Sequence, residues 1–344
     1  MTCVTIDRMT RFLLFTIVAA TALSAAEHKL KVSPETLAWG YYWAGAKPVL
    51  TVQSGDVVEI QTVSGNPDNL ERAGLPAVQI QPELRKIYAE VPKESKGPGG
   101  HLLTGPIAIE GARPGDVLEV RIREIRLDVP YAYNSMGRAG FLADVFSQGR
   151  TKIIPLDRER KIGHFGGGID IPLKPFFGSM GIAPPESAGR VNSAPPGIHA
   201  GNLDNKELVA GTTLFIPVHA PGALFEVGDG HAGQGNGEVD ITAMETSLTG
   251  VFQFIVHHDM HLTWPRAETP THYITMGLDP DLTQAARICA LETIDFLVNE
   301  MKLSREDAYA LTSVAIDLEI TQLVDGTKGV HAMIPKSLFA GLKK

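Results

Sequence analysis

The 344-residue chain is poor in cysteine, in aromatic residues and in positive charge, and each shortage closes off a class of explanation. It holds 2 cysteines, Cys3 and Cys289. With Cys3 in a segment expected to be removed, no intrachain disulfide can form, and export does not demand one. Cys289 lies in an apolar helical pattern and reads as a buried, inert thiol, not a nucleophile. Lys and Arg number 31 against 39 Asp and Glu, a formal charge of −8 with no basic run, so nucleic acid is not an expected partner. Aromatics make up 7% while Gly and Pro number 35 and 23, which suits a turn-rich β protein better than a helical one. Several motifs are missing too. There is no Gly-x-Ser-x-Gly elbow, which argues against a serine nucleophile. No H-E-x-x-H is present, and the His164-Phe-Gly-Gly-Gly168 turn lacks the Lys-Ser/Thr pair that grips phosphate and magnesium.

What is present starts with Arg8 and Arg11, the apolar run Phe12 to Ala20 and small residues from Thr21 to Ala26. That is the layout of a secretory signal peptide, which reads as well from Met9, with cleavage expected after Ser24 or Ala26. The run is too short to span a membrane. The expected mature domain, residues 27–344, is exported, to the periplasm if the source is Gram-negative, with no membrane contact. Strand–turn–strand patterns follow: Lys47–Val52 and Val57–Val63 around Ser54-Gly55-Asp56, Ile107–Glu110 and Val117–Ile125 around Arg113 to Asp116, and Leu208–Val218 around Ala210 to Thr212. Either repeated hairpins in related halves of a barrel or sandwich, or common turn chemistry alone, would produce this likeness. Pro82–Ala89 predicts a short helix. Helical spacing predicts Asp281–Met301 and Ser304–Leu318 as a helical pair, the second opened by the capping-box-like Ser304-Arg-Glu-Asp307, with strands at Ile320–Val324 and Gly329–Ile334. The expected fold is α+β and predominantly β: one compact barrel- or sandwich-like domain with a helical pair near the C-terminus.

The densest chemistry lies between Pro195 and Glu245. His199, Asp204, Asp229, His231, Gln234, Asn236 and Glu238 stand among many glycines, which let a backbone turn sharply and present polar side chains. Between the two polar clusters, Thr213–Val218, Pro221-Gly222 and Ala223–Val227 read as strand, turn and strand, a hairpin that would bring the clusters together. Two imidazoles and several carboxylates at one point suit a divalent ion, zinc by preference with calcium as the alternative, which leaves a position for activated water. The expected ligands are His199, Asp204 and His231, with Glu238 as proton carrier or fourth ligand. Taken singly, Asp204-Asn205 and Asp229-Gly230 are ordinary turn pairs, and it is the clusters together that point to a site. His101 follows a glycine loop and is either a proton donor or ligand in the site or a structural hydrogen bonder. Pro130–Gly140 reads as a pocket wall, a lid or a surface loop. Arg266 and Glu268 fit a pocket rim or a structural ion pair. His257, His258 and His261 fall at a strand end and read as a solvated turn.

The chain resembles the acetamidase/formamidase family of amide hydrolases. The resemblance is carried by PPGIHAGNLDNKEL from Pro195, PGALFEVGDGHAGQGNGEV from Pro221, WPRAETPTHYITMG from Trp264 and VDGTKGVHAMIPK from Val324. Shorter matches are Lys47-Pro-Val-Leu-Thr, HLLTGP at His101 and EGARPGD at Glu110. Ala200 departs from it, standing where glycine is expected. The resemblance implies hydrolysis of small linear carboxamides to acid and ammonia, with a bound metal in some members. The residues then assign Glu238, His231 and His101 to catalysis. A metal-independent amidase or lactamase using Glu238 or Asp229 with His231, and an exported binding protein without turnover, are the alternatives. An exposed strand edge or the C-terminal helices would serve a homo-oligomer.

Overall fold

The computed structural model describes residues 25–342. The expected signal segment lies almost wholly outside them. Two sheets pack face to face over one core. The larger runs in the order Glu27–Leu30, Val57–Gln61, Leu248–His257, Val117–Leu127, Thr212–Pro217, Arg266–Glu268, His272–Asp279, Lys328–Pro335, Asp317–Gln322. The smaller runs Ala200–Asn202, Phe176–Gly181, Phe225–His231, Leu102–Ile109, Leu37–Trp39, with Leu50–Val52 parallel to Leu102–Ile109. Neither order closes on itself, so the sandwich half of the expectation holds and the barrel half does not. A four-stranded antiparallel meander, from Tyr131–Met136 to Ile169–Pro172, stands beside the sandwich. Among the described residues no helix is long and apolar enough to cross a membrane.

The core explains the layering. Val58, Ile60, Val120, Ile216, Phe252 and Phe254 of the larger sheet meet Val52, Ile107, Phe177 and Phe225 of the smaller. Phe225 touches both Phe252 and Phe254, with ring centroids 5.9 and 4.9 Å apart. Aromatic contacts of this kind add to the burial that drives sheet-on-sheet packing.

The strand–turn–strand units are not hairpins. Leu50–Val52 lies in the smaller sheet and Val57–Gln61 in the larger; Leu102–Ile109 and Val117–Leu127 divide the same way. Thr212–Pro217 pairs in the larger sheet and Phe225–His231 in the smaller, so the hairpin expected around Pro221-Gly222 is also a crossing between sheets. Each crossing turns at a glycine of positive φ: Gly55 at 104°, Gly115 at 97°, Gly222 at 74°. In the first two an aspartate closes the turn, Asp56 accepting from Gln53 N and Asp116 from Arg113 N, both at 2.8 Å. The turn chemistry is that of a hairpin; only the partner of each arm differs.

The helical pair is Leu282–Asn299 and Arg305–Ala315, capped by Asp281 and by Ser304, whose Oγ accepts from Asp307 N at 3.0 Å. The second helix ends before Leu318, because Asp317–Gln322 is the edge strand of the larger sheet. Leu282–Asn299 lies tightly on the strand His272–Asp279: a Cβ on Gly277 would fall 2.1 Å from Ala285 O. Cys289 is fully buried in this contact, and burial pushes its thiol up to about 12, far from a nucleophile.

Candidate active site

Phe176–Gly181 is the strand on which the site is built. On one side it pairs with Phe225–His231, on the other with Ala200–Asn202, so the chain leaving Asn202 and the end of Phe225–His231 flank it. Asp204 therefore meets Asp229 and His231 across a sheet, not across a hairpin. Gly178 lies between them. A Cβ there would come within 2.4 Å of Asp229 Oδ2, 2.5 Å of Asp204 Oδ1 and 2.8 Å of His231 Cε1. The missing side chain leaves a gap onto which these groups face.

Beyond His231, the backbone of Gly237 is tied to the edge strand of the larger sheet: Gly237 N donates to Thr321 O at 3.0 Å, and Leu323 N to Gly237 O at 2.9 Å. Glu238 follows and turns inward. One potential ligand atom each from Asp204, His231 and Glu238 lies within 4.8 Å of the others, and Asp229, His231 and Glu245 form a second such group. Asp325, from the last loop, adds another acid beside Asp204. Asp204, Asp229, Glu238 and Asp325 all hold positive φ, between 40° and 65°. Non-glycine residues pay strain in this region, and such strain concentrates at functional sites.

The electrostatics follow from crowding acids in a dry place. Burial, then Asp325 and Asp229, push Asp204 well above the usual carboxylate range. Burial and Asp204 do the same to Glu238, and burial raises Glu245. Burial pushes Asp325 up to about 6. Burial also opposes charge on Asp229 and His231, but their attraction wins: His231 and His101 hold Asp229 low, while Glu245 and Asp229 hold His231 well above the ordinary histidine range. His231 Nε2 is 3.3 Å from Asp229 Oδ2 and 3.2 Å from Glu245 Oε1.

The residues fit a divalent cation. Asp204 Oδ1 and Glu238 Oε2 are buried without a hydrogen-bond partner, although buried polar atoms are almost always satisfied. Carboxylate oxygens and an imidazole nitrogen are donor types that zinc accepts.

His101 stands at the outer side of the cluster, Nδ1 3.0 Å from Ser193 Oγ and Nε2 3.9 Å from Asp229 Oδ2. Together with Asp229 it lines a cavity of about 280 Å³, whose other walls include Leu70, Tyr88, Tyr133 and Ser135. Of the readings for Pro130–Gly140, a pocket wall is the one this geometry matches, through Tyr133 and Ser135. The cavity is at the small end of ligand sites.

His199 is not brought into either ligand group. It is a buried histidine whose ring meets Tyr42 edge-on at 5.1 Å, with Nε2 turned toward Gly201. Burial lowers it to about 4. An unfolded histidine protonates near 6.5, so between about 6.5 and 4 the folded chain binds fewer protons and loses stability as pH falls, by at most about 1.4 kcal/mol per unit. His199→Gln is therefore expected to flatten the acid limb of melting temperature against pH; an unchanged limb would contradict the assignment.

His257, His258 and His261 are tied to the corner of the second crossing, His257 Nε2 at 2.5 Å from Glu119 Oε2 and His258 Nδ1 at 3.0 Å from Asp116 Oδ1, and they do not reach the cluster. Arg266 faces Glu300 at 3.9 Å while Glu268 pairs with Lys336, so the two form neither a mutual ion pair nor part of the cavity lining. Ala200 has φ of 63°, which explains why glycine suits the position. The strain of about 1–2 kcal/mol is partly offset by the methyl it buries, about 0.8 kcal/mol. Sequence reading missed Glu245, Asp325 and Gly178. Glu245 and Asp325 looked like strand and turn residues, and a glycine gives no sign of the ligand it makes room for.

Comparison with known proteins identifies the family. Residues 47–193 and 186–341 match the acetamidase/formamidase family. The chain is 26% identical over 191 residues to the formamidase of Methylophilus methylotrophus, covering 40% of this chain and 47% of that protein. It is 25% identical over 234 residues to the acetamidase of Mycolicibacterium smegmatis, covering 51% and 56%. The chain thus spans about half the length of the curated relatives it matches. Among solved structures, the acetamidase of Bacillus halodurans superposes with a TM-score of 0.77 at 29% identity, over 92% of this chain and 100% of that one. The acetamidase of Yersinia enterocolitica gives 0.79 at 27%, over 94% and 96%. A γ-lactamase from Delftia acidovorans shares the fold, with a TM-score of 0.58 at 19% identity over 92% and 94%. With the family matched from residue 47 to residue 341, and its fold superposing over more than nine-tenths of the chain, this protein belongs to the acetamidase/formamidase family.

Proposed function

We propose that the chain hydrolyses the C–N bond of small linear carboxamides, of the formamide and acetamide type, to carboxylate and ammonia. The observation that carries the metal-assisted form of this reading is the buried grouping of Asp204, His231 and Glu238, in which Asp204 Oδ1 and Glu238 Oε2 have no hydrogen-bond partner. A divalent ion, zinc by preference, held by these residues would polarise the amide carbonyl and lower the pKa of water. With His199 outside the group, Glu238 would be the third ligand, where the sequence suggested a proton carrier or a fourth. His101 is the group placed to deliver a proton to the departing nitrogen, which must leave as ammonia because an amide anion is a very poor leaving group. Asp229 lies 3.9 Å from His101 Nε2, on the side of the ring that faces the cluster. The small cavity beside them receives the acyl part and keeps it out of bulk water.

A metal-free reading has one observation in its favour. His231 sits between Asp229 and Glu245 at ion-pair distance, a setting that keeps it cationic and able to donate a proton. Ammonia and carboxylate released in equal amounts from formamide or acetamide would support amide hydrolysis under either reading. No release across a panel of short linear amides would sink both. The compartment is part of the proposal: the Arg8–Ala26 segment directs export, and a protein recovered from the cytoplasm at its full mass would count against it.

A further inference from the structure

We infer that Gln234 is the positioning residue that couples His231 to Asp204 and points the His231 lone pair at the candidate metal position; the inference rests on the ligand reading above. His231 Nδ1 is 2.9 Å from Gln234 Oε1, and Gln234 Nε2 donates to the backbone oxygen of Asp204 at 2.7 Å. The second bond fixes which end of the amide is which. Nε2 faces a carbonyl and must be the donor, so Oε1 faces His231 and can only accept. Nδ1 therefore carries the proton. In a neutral ring the lone pair is then on Nε2, the atom that lies 3.3 Å from Asp229 Oδ2 and 3.2 Å from Glu245 Oε1, on a ring that also groups with Asp204 and Glu238.

The same amide solves a mechanical problem. Asp204 lies beyond the short edge strand Ala200–Asn202, outside any ladder, at φ 49°. Asp204 N donates to Gly178 O at 3.1 Å, and Oδ2 accepts from Asn202 Nδ2 at 2.7 Å, which leaves Oδ1 free. Neither bond relates Asp204 to the strand that carries His231. Gln234 does, because one planar group bonds both. It also begins the glycine loop that leads to Glu238, a loop whose far side is held through Gly237. Partners of this kind fix ring orientation and commonly change metal affinity by about 10–100-fold when removed.

The test is zinc affinity by chelator competition on the stripped full-length protein, with melting temperature followed in parallel. Gln234→Leu, which can neither accept from Nδ1 nor donate to Asp204, is expected to bind zinc about 10–100-fold more weakly. Gln234→Glu keeps the acceptor for Nδ1–H but loses the donor to Asp204 O, and is expected to weaken zinc binding less than Gln234→Leu does. If Gln234→Leu does not fold, Gln234→Met, closer in length, takes its place. A leucine or methionine variant that binds like wild type overturns the inference, as does a glutamate variant that loses as much as the leucine one, since keeping the acceptor for Nδ1–H would then make no difference. A wild-type protein that takes up no zinc overturns the ligand reading itself, and this inference with it.

Discussion

Asp204→Asn is expected to make the protein inactive and more stable at once. Its carboxylate is fully buried, and it is raised by burial, by Asp325 and by Asp229. Without a cation it is one acid too many, kept in place at a cost to the fold. An amide of the same shape removes that repulsion and is expected to add about 0.5–2 kcal/mol of stability to the metal-free protein. The same change removes an anionic ligand. Loss of an outer partner alone costs about 10–100-fold, so loss of a direct one should lower zinc affinity and amide turnover by more than about 100-fold. Chelator competition, ammonia release and thermal melting on one preparation check both halves. A variant that is less stable and still active would mean that Asp204 is a structural acid.

Gly178→Ala should have a comparable effect by a different route. The backbone of Gly178 is not left-handed, so alanine brings no conformational strain there. The penalty is spatial. Its Cβ would stand under 3.0 Å from Asp229 Oδ2, Asp204 Oδ1 and His231 Cε1. At least one ligand must swing away, and the gap where their atoms meet is filled. Overpacking of this sort costs about 1–3 kcal/mol, which leaves a folded protein. Metal uptake and turnover are expected to fall by more than about 100-fold, as with loss of a ligand. Normal zinc uptake in a folded Gly178→Ala protein would refute the cradle.

These two positions also mark how far the sequence could be read. Asp204, His231 and Glu238 could be picked out as candidates, because polar side chains set among glycines have no use in a packed core. The helical pair was legible from its period and its caps at Asp281 and Ser304, which are local features. Gly178 was not, since its role is to be absent from a space defined by residues distant in the chain. Asp325 and Glu245 were hidden for the same reason: each looks local and becomes part of the site only through sheet order. The crossings at Gly55, Gly115 and Gly222 failed in the opposite way. Their turn residues were read correctly, but turn chemistry fixes the reversal of the chain and not which sheet each arm joins. The two polar clusters came together as expected, yet through their shared neighbour Phe176–Gly181. His199 shows the limit of residue type as a guide. One of the two imidazoles expected in the site packs against Tyr42 instead.

The proposal that most needs testing is that amide hydrolysis here depends on an ion held by Asp204, His231 and Glu238. The direct measurement is elemental analysis of protein purified without chelator, with ammonia release from formamide and acetamide followed before stripping, after stripping and after refilling. About one equivalent of divalent metal per chain, activity lost on stripping and activity restored on refilling are the predicted results. Full turnover in protein proven free of metal would contradict the account and leave His231, with Asp229 and Glu245, to do the chemistry alone.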